Sequence, residues 1–372
     1  MADGKFIRNV ILKALGLFIV LNLFFAWLSP MPALGKVSLY NAVLPGRERF
    51  PFGEEPQKAY NLSLYSVEAM FASHELNGTQ KGEDEFRVIV LGDSSVWGTL
   101  LEPQQTLSAQ LDAMNLSTGD GRTMRFYNLG YPTMSLAKDL MLLDEAMRYD
   151  PDLILWPLTL ESFPLDKQLQ SPLIANNPDR VRHLQDAYQV SFEGADNGLY
   201  SPSFFDKTII GQRRNLADII RLQFYGFMWA STGIDQVYPD PYPPAKRDFE
   251  VDESFHDLQP QGFDIAALAF DFIDAGSRIA GELPLIIVNE PILVSTGTNS
   301  EIRYNFFYPC WAYDAYRDHM IKLSANADWH YLDYWDLVPQ GEFTNSAVHL
   351  SPQGSQEFAR VLAEDLVGMI QP

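Results

Sequence analysis

Apolar and polar positions along the chain follow three successive patterns. Residues 10–28 (VILKALGLFIVLNLFFAWL) are apolar on every face, broken only by Lys13 and Asn22. From 36 to 85 the chain mixes Pro, Gly and charged residues, as in FPFGEEP and HELNGTQKGEDE. Five β-rich apolar segments follow, FRVIVLG (86–92), MRFYNLG (124–130), DLILWPL (152–158), LPLIIVNEP (283–291) and WHYLDYW (329–335). Between the early ones, at 103–114 and 135–149, apolar positions recur at three- and four-residue steps, which predicts helices.

Strands alternating with helices predict an α/β fold: a three-layer α/β/α sandwich around a five-stranded, mostly parallel sheet. Such a sheet takes its ligands at the carboxyl ends of its strands. The stretch 163–275 interrupts the alternation with an aromatic run (FYGFMW, 224–229) and a Pro/Tyr loop (YPDPYPP, 238–244), and is read as an inserted cap able to shape a cleft. An aromatic stripe is more often core than substrate platform. The chain thus divides into an amino-terminal segment 1–35, a stalk and loop 36–85, and a main domain 86–372 carrying the insertion.

At ~1.5 Å per residue, residues 10–28 just span a hydrocarbon layer of roughly 30 Å. Lys5 and Arg8 precede the run and an acidic portion follows it, which puts the amino terminus in the cytoplasm and the main domain outside, periplasmic or at the cell surface. The expectation is a single-pass anchor. A cleaved signal peptide is the alternative, with Ala33-Leu34-Gly35 as a small-residue cleavage site. The length of the run and its bulky Phe24, Phe25 and Trp27 favour retention.

Composition changes the picture mainly by exclusion. Apolar residues make up 47% and charged residues 20%, as in an ordered globular protein. The 27 basic and 48 acidic side chains leave a formal charge of -21, which repels phosphate backbones, so nucleic acid is not an expected partner. The single cysteine, Cys310, has no internal disulfide partner and reads as a buried inert thiol. The six histidines lack metal-ligand spacing, so neither metal nor other cofactor is expected.

Two segments carry candidate chemistry. In VIVLGDSSVWG (88–98) an apolar strand ends in Gly92-Asp93-Ser94. A turn from a buried strand into a helix presents a hydroxyl at the sheet edge and aims backbone N–H groups at whatever binds there. In NSAVHLSPQGSQEFARVLAEDLV (345–367), His349 sits in a loop just before Ser351 and Pro352, which open a carboxyl-terminal amphipathic helix. A loop histidine near the last strand can reach a serine at the end of the first.

Together these segments resemble the SGNH/GDSL hydrolase family, over residues 86–162 and 283–368. The resemblance implies a flavodoxin-like sandwich and a serine esterase. Ser94 would be nucleophile and oxyanion donor, Gly130 in YNLGYP the glycine-block donor, and His349 the general base.

Two positions depart from the family pattern. PDLILWPLTLES puts Thr159 and Glu161 where the family has Gly and Asn. An ionised carboxylate opposes a developing oxyanion, so Glu161 must be protonated, turned away, or replaced as donor by Thr159 or another amide. Ser346 stands where the family places an Asp three residues before the His. The imidazole would then be oriented by Asn345 or by a nearby acid such as Asp333, Asp336 or Glu342, or the site would work as a Ser-His dyad. The strand end Asn289-Glu290-Pro291 approaches the same sheet edge, where Asn289 offers an amide donor in place of position 161, although a polar turn closing a strand is the plainer reading.

The function these readings imply is removal or transfer of O-acyl groups on a glycan, lipid or cell-envelope polymer. The membrane is contacted through 10–28. Because single-anchor members of the family assist acyl transfer onto envelope polymers, a membrane-bound acyltransferase is a candidate partner. The rival is an SGNH-fold protein with impaired catalysis that binds envelope glycan or such a partner.

Overall fold

The computed structural model describes residues 4–35, 37, 39, 43, 67, 70, 71, 74–192, 203–233, 244–256, 258–260 and 264–370. Their sheet contains β1 (Glu85–Gly92), β2 (Thr123–Gly130), β3 (Leu153–Leu158), β4 (Leu285–Asn289) and β5 (His330–Asp333), in the order β2-β1-β3-β4-β5. Every neighbouring pair is parallel, so the sheet is wholly rather than mostly parallel. The main helices are α1 (Gly4–Leu28), α2 (Ser94–Trp97), α3 (Leu107–Ala113), α4 (Leu136–Ala146), α5 (Pro178–Tyr188), α6 (Arg213–Thr232), α7 (Asp271–Ala280), α8 (Cys310–Ser324) and α9 (Pro352–Ile370).

Successive strand residues face opposite sides, and each side has its own core. Ile89, Leu91, Leu129, Ile154, Trp156 and Ile287 lie under α4, α7 and α8, which contribute Leu140, Leu143, Ile273, Tyr313 and Tyr316. Val88, Val90, Phe126, Leu155 and Val288 lie under α3 and α9, which contribute Leu107, Leu111, Phe358 and Leu362. These are the three layers. The strands read as continuous apolar runs because both faces are covered. Ser135 and Thr106 start α4 and α3 by accepting hydrogen bonds from the N–H groups of Lys138 and Ala109, and Pro352 opens α9.

From β1 the chain moves to β2 on one side and then crosses to β3 on the other, so the direction of winding reverses at β1. In an open parallel sheet this reversal leaves a crevice at the carboxyl ends of the central strands. Ser94 begins the segment that follows β1.

The expected stalk lies largely outside the described residues, but its carboxyl-terminal part belongs to the core: Val67, Met70, Phe71 and Leu76 pack with the α4 face. The 163–275 insertion divides. Val181 and Leu184 of α5 join the main core, whereas Leu216 and Ile219 of α6 pack on Met31 and Leu34. The Pro/Tyr loop lies outside the described residues except for its last position. Helix α1 is long and apolar enough to cross a membrane, and only Asn22 and Ala26 on it are buried.

Candidate active site

Two glycines let the turn carrying Ser94 sit close on the sheet. Gly92 ends β1 at φ +142°, and a Cβ there would stand 2.5 Å from Cγ2 of Val96. Its register partner Gly130 ends β2, where a Cβ would stand 2.2 Å from the Trp97 nitrogen. With both side chains absent, α2 rests directly on the strand ends. Asp93 caps α2, its Oδ1 accepting from the Ser95 N–H at 2.8 Å. Ser94 is the first residue of this helix and is partly exposed.

His349 is held in a narrow loop closed by the bridge between Phe343 and Leu350. Its carbonyl accepts from the N–H and the hydroxyl of Thr344, at 2.8 and 3.1 Å, and the Leu293 N–H donates to the neighbouring Ala347 carbonyl at 2.7 Å. The ring faces the serine. His349 Nε2 lies 2.8 Å from Ser94 Oγ, and Nδ1 lies 2.7 Å from Asn345 Oδ1. An amide oxygen only accepts, so Nδ1 carries the proton and Nε2 is left to accept from the serine hydroxyl. Enclosure of the ring disfavours its charged form and lowers its pKa from 6.5 to about 4. The imidazole is neutral at physiological pH, as a general base must be.

Of the possible orienters, the structure brings only Asn345 to the ring. Asp333 instead accepts from Arg317 Nε and Nη2, at 3.0 and 2.8 Å, and from Asn289 Nδ2 at 2.8 Å. Glu342 accepts from the Ser351 hydroxyl. Asp336 is exposed, and Ser346 makes no bond to the ring, whose Nδ1 is already engaged.

The expected oxyanion donors need correction at three positions. The Gly130 N–H donates to Asn128 Oδ1 at 2.9 Å, so this glycine serves close packing rather than offering a free donor. Asn289 is fully buried with both ends of its amide engaged, since it donates to Asp333 and accepts from the Tyr313 hydroxyl at 2.9 Å. The Thr159 hydroxyl donates to Tyr308 at 3.0 Å. The Ser94 amide, as a first-turn N–H, has no intrahelical partner.

The Glu161 carboxylate is already engaged. Its Oε1 pairs with Lys167 Nζ and its Oε2 lies 3.1 Å from His256 Nε2, both residues of the insertion. The charge that would oppose an oxyanion is therefore met by a cation.

Beneath the turn lies a buried ionisable cluster that the sequence did not reveal. Lys138 is fully buried and donates to the Gly92 carbonyl and to Asp139. Glu290 accepts from the Ser95 hydroxyl. Burial raises the pKa of Asp93 and Asp139, and raises that of Glu290 well above the ordinary carboxylate value. Asn128 ties the strands to the turn by donating to the Val96 carbonyl at 2.8 Å, while His74 Nε2 lies 2.7 Å from the Asn128 carbonyl. In the sequence Lys138 looks like one more polar position on an amphipathic helix, and only the turn placement of Glu290 hints at a role. Among the described residues no group of His, Cys, Asp and Glu could hold a metal.

Fold and site together define a doubly wound α/β protein with a hydrogen-bonded Ser-His-Asn chain at the topological switch of its sheet. No protein-family model and no curated protein matches the chain. Solved structures that overlap it include a protein described as lipolytic, of the G-D-S-L family, from Desulfitobacterium hafniense DCB-2, at 10% identity over 75% of this chain and 98% of that one, TM-score 0.32. A carbohydrate acetylesterase family member from Sinorhizobium meliloti overlaps at 12% identity over 76% and 98% of the two chains, TM-score 0.33. A second carbohydrate acetylesterase from the same organism overlaps at 14% identity over 76% and 99%, TM-score 0.32. With so loose an overlap, the functional reading rests on the geometry of the site itself.

Proposed function

We propose that the chain is a serine esterase or acyl transferase of the SGNH type, anchored by α1 with its main domain outside the cytoplasm. The observation that carries the reading is the chain Ser94–His349–Asn345, with contacts of 2.8 and 2.7 Å at the end of β1. Ser94 Oγ attacks an ester carbonyl as its proton passes to His349 Nε2, and the resulting imidazolium is held by Asn345. Collapse of the tetrahedral adduct breaks the ester C–O bond. The departing alcohol takes the proton from Nε2 and leaves an acyl group on Ser94. Water or a second hydroxyl then gives up its proton to His349 and attacks the acyl-serine; the acyl–Oγ bond breaks, Ser94 Oγ takes the proton back from Nε2, and the acid or new ester departs.

The substrate class we assign is an O-acylated glycan, lipid or envelope polymer, because a domain tethered at a membrane meets such esters there. Transfer to a sugar hydroxyl, with a membrane-bound acyltransferase as acyl donor, shares the same acyl-enzyme. The non-catalytic alternative drew on Glu161 and on the absent acid. The pairing of Glu161 with Lys167 and the contact of Asn345 with the imidazole support the catalytic reading over it.

The test is turnover of p-nitrophenyl acetate by wild type, Ser94→Ala and His349→Ala. The expected result is turnover lost in Ser94→Ala and reduced about 10²–10⁴-fold in His349→Ala. Equal rates in all three would refute the assignment.

A further inference from the structure

Helix α6 carries two different faces. Leu216 and Ile219 pack on Met31 and Leu34, and Gln223 on the same side bonds the Val37 carbonyl and the Leu39 N–H, at 3.1 and 2.7 Å. The adjoining stripe of Ile220, Phe224, Phe227 and Met228 follows helical spacing, yet it faces outward, with Phe224 63% and Ile220 59% exposed. The turn leading into the helix exposes Phe204, Phe205 and Ile210 as well. Large apolar side chains left exposed along one helical stripe mark a binding surface.

The position of the patch relative to α1 indicates what covers it. The Ile210 N–H donates to the side chain of Asn22, the polar interruption of the apolar run, at 3.2 Å. Asn22 lies six residues before the end of α1, about 9 Å down the helix at ~1.5 Å per residue. If α1 crosses a bilayer, the turn at 203–212 sits below the outer end of the span, at the depth of headgroups and upper acyl chains. Exposed Trp27, an aromatic suited to the interface, lies one residue from that outer end, about 7.5 Å above Asn22 at ~1.5 Å per residue. Charge agrees with this placement. Residues 203–233 hold four basic side chains, Lys207, Arg213, Arg214 and Arg221, against two acidic ones, in a chain of net charge -21.

We propose that residues 203–232 form a second membrane-contacting element, lying in the outer interface of an anionic bilayer beside the anchor. The apolar stripe enters about 5–10 Å into the headgroup–acyl boundary, and the arginines reach the phosphates. Two attachments hold the main domain at a fixed height and tilt over the lipid instead of leaving it on a free tether. The inference rests on reading α1 as an anchor.

The experiment uses the full chain in vesicles of phosphatidylcholine and phosphatidylglycerol, with Cys310→Ser as background. Single cysteines at Phe224→Cys, Leu17→Cys and Arg360→Cys carry a fluorophore, quenched either by doxyl lipid or by aqueous iodide. Met228→Cys is a second reporter should the first fail to match the parent's circular dichroism. Position 224 is expected to be quenched severalfold more by doxyl lipid than position 360, and severalfold less by iodide. Iodide quenching at 224 equal to that at 360 overturns the proposal. Shielding from both quenchers overturns it too, because a protein or a second copy of this chain then covers the stripe. If position 17 shows no lipid quenching, the anchor fails and the interfacial element fails with it; lipid quenching at 17 without quenching at 224 rejects the interfacial element alone.

Discussion

Asn345 Oδ1 stands 2.7 Å from Nδ1 of His349, so an uncharged amide holds the ring that approaches Ser94. An amide fixes the tautomer as a carboxylate does, but it adds no negative charge to stabilise the imidazolium. The pH behaviour of the site follows from this difference.

The base form of His349 persists to unusually low pH, because burial lowers its pKa to about 4. The acid limb of the kcat/KM profile is therefore expected below the ordinary imidazole value of 6.5, with activity retained at pH 5.5. In Asn345→Asp the new carboxylate favours the imidazolium, and the acid limb moves up. Identical profiles for the two proteins would argue against contact between residue 345 and the ring.

Asn345→Ala removes one hydrogen bond that acts on the base. At about 1.4 kcal/mol, a loss of about tenfold in kcat with little change in KM is expected. A KM effect without a kcat effect would place Asn345 in substrate binding instead.

Glu161 and Lys167 form a pair in which the acid is buried and the base about a quarter exposed. Lys167→Met strands the carboxylate beside His256 and is expected to cost about 1–3 kcal/mol in denaturant unfolding, less than for a fully buried pair. Glu161→Gln leaves no buried charge and costs less. The reverse order of stability would contradict the pairing.

Glu290 makes a pH-dependent contribution of the opposite sense to a salt-bridged acid. Its folded pKa is raised by burial, so the folded state holds a proton that the unfolded state releases above about 4.5. The stability associated with this proton is fully present below pH 4.5 and is lost as pH rises toward the raised folded pKa. Glu290→Gln is therefore expected to raise Tm at pH 8 relative to wild type, with the gap closing as pH falls to 4.5. A gap that widens on acidification would mean an ionised, stabilised Glu290.

What the sequence makes legible follows from short-range physics. Apolar runs with both faces covered mark the five strands, the GDS turn marks the end of β1, and HLSP marks a loop before a helix. The five segments and their order in the chain were readable, and so was the meeting of Ser94 with His349 across 255 positions, given a parallel sheet. Which polar group fills each remaining valence was not. Asn345, Asp333 and Asp336 lie within twelve residues of one another, and only tertiary placement decides that Arg317 takes Asp333 while Asn345 meets the ring. Gly130 is similar: its neighbour Asn128 folds back on it, a two-residue contact that no motif announces. The exposed stripe on α6 was equally hidden, because periodicity shows that a helix has an apolar face but not what that face meets.

The central claim is that Ser94 forms an acyl-enzyme. Its most direct test is mass spectrometry of the folded protein after exposure to a fluorophosphonate, with peptide mapping of the adduct. The account predicts one phosphonyl group per chain, located on Ser94, absent in Ser94→Ala and slowed in His349→Ala. An unlabelled folded protein, or a label on another residue that persists in Ser94→Ala, would contradict it.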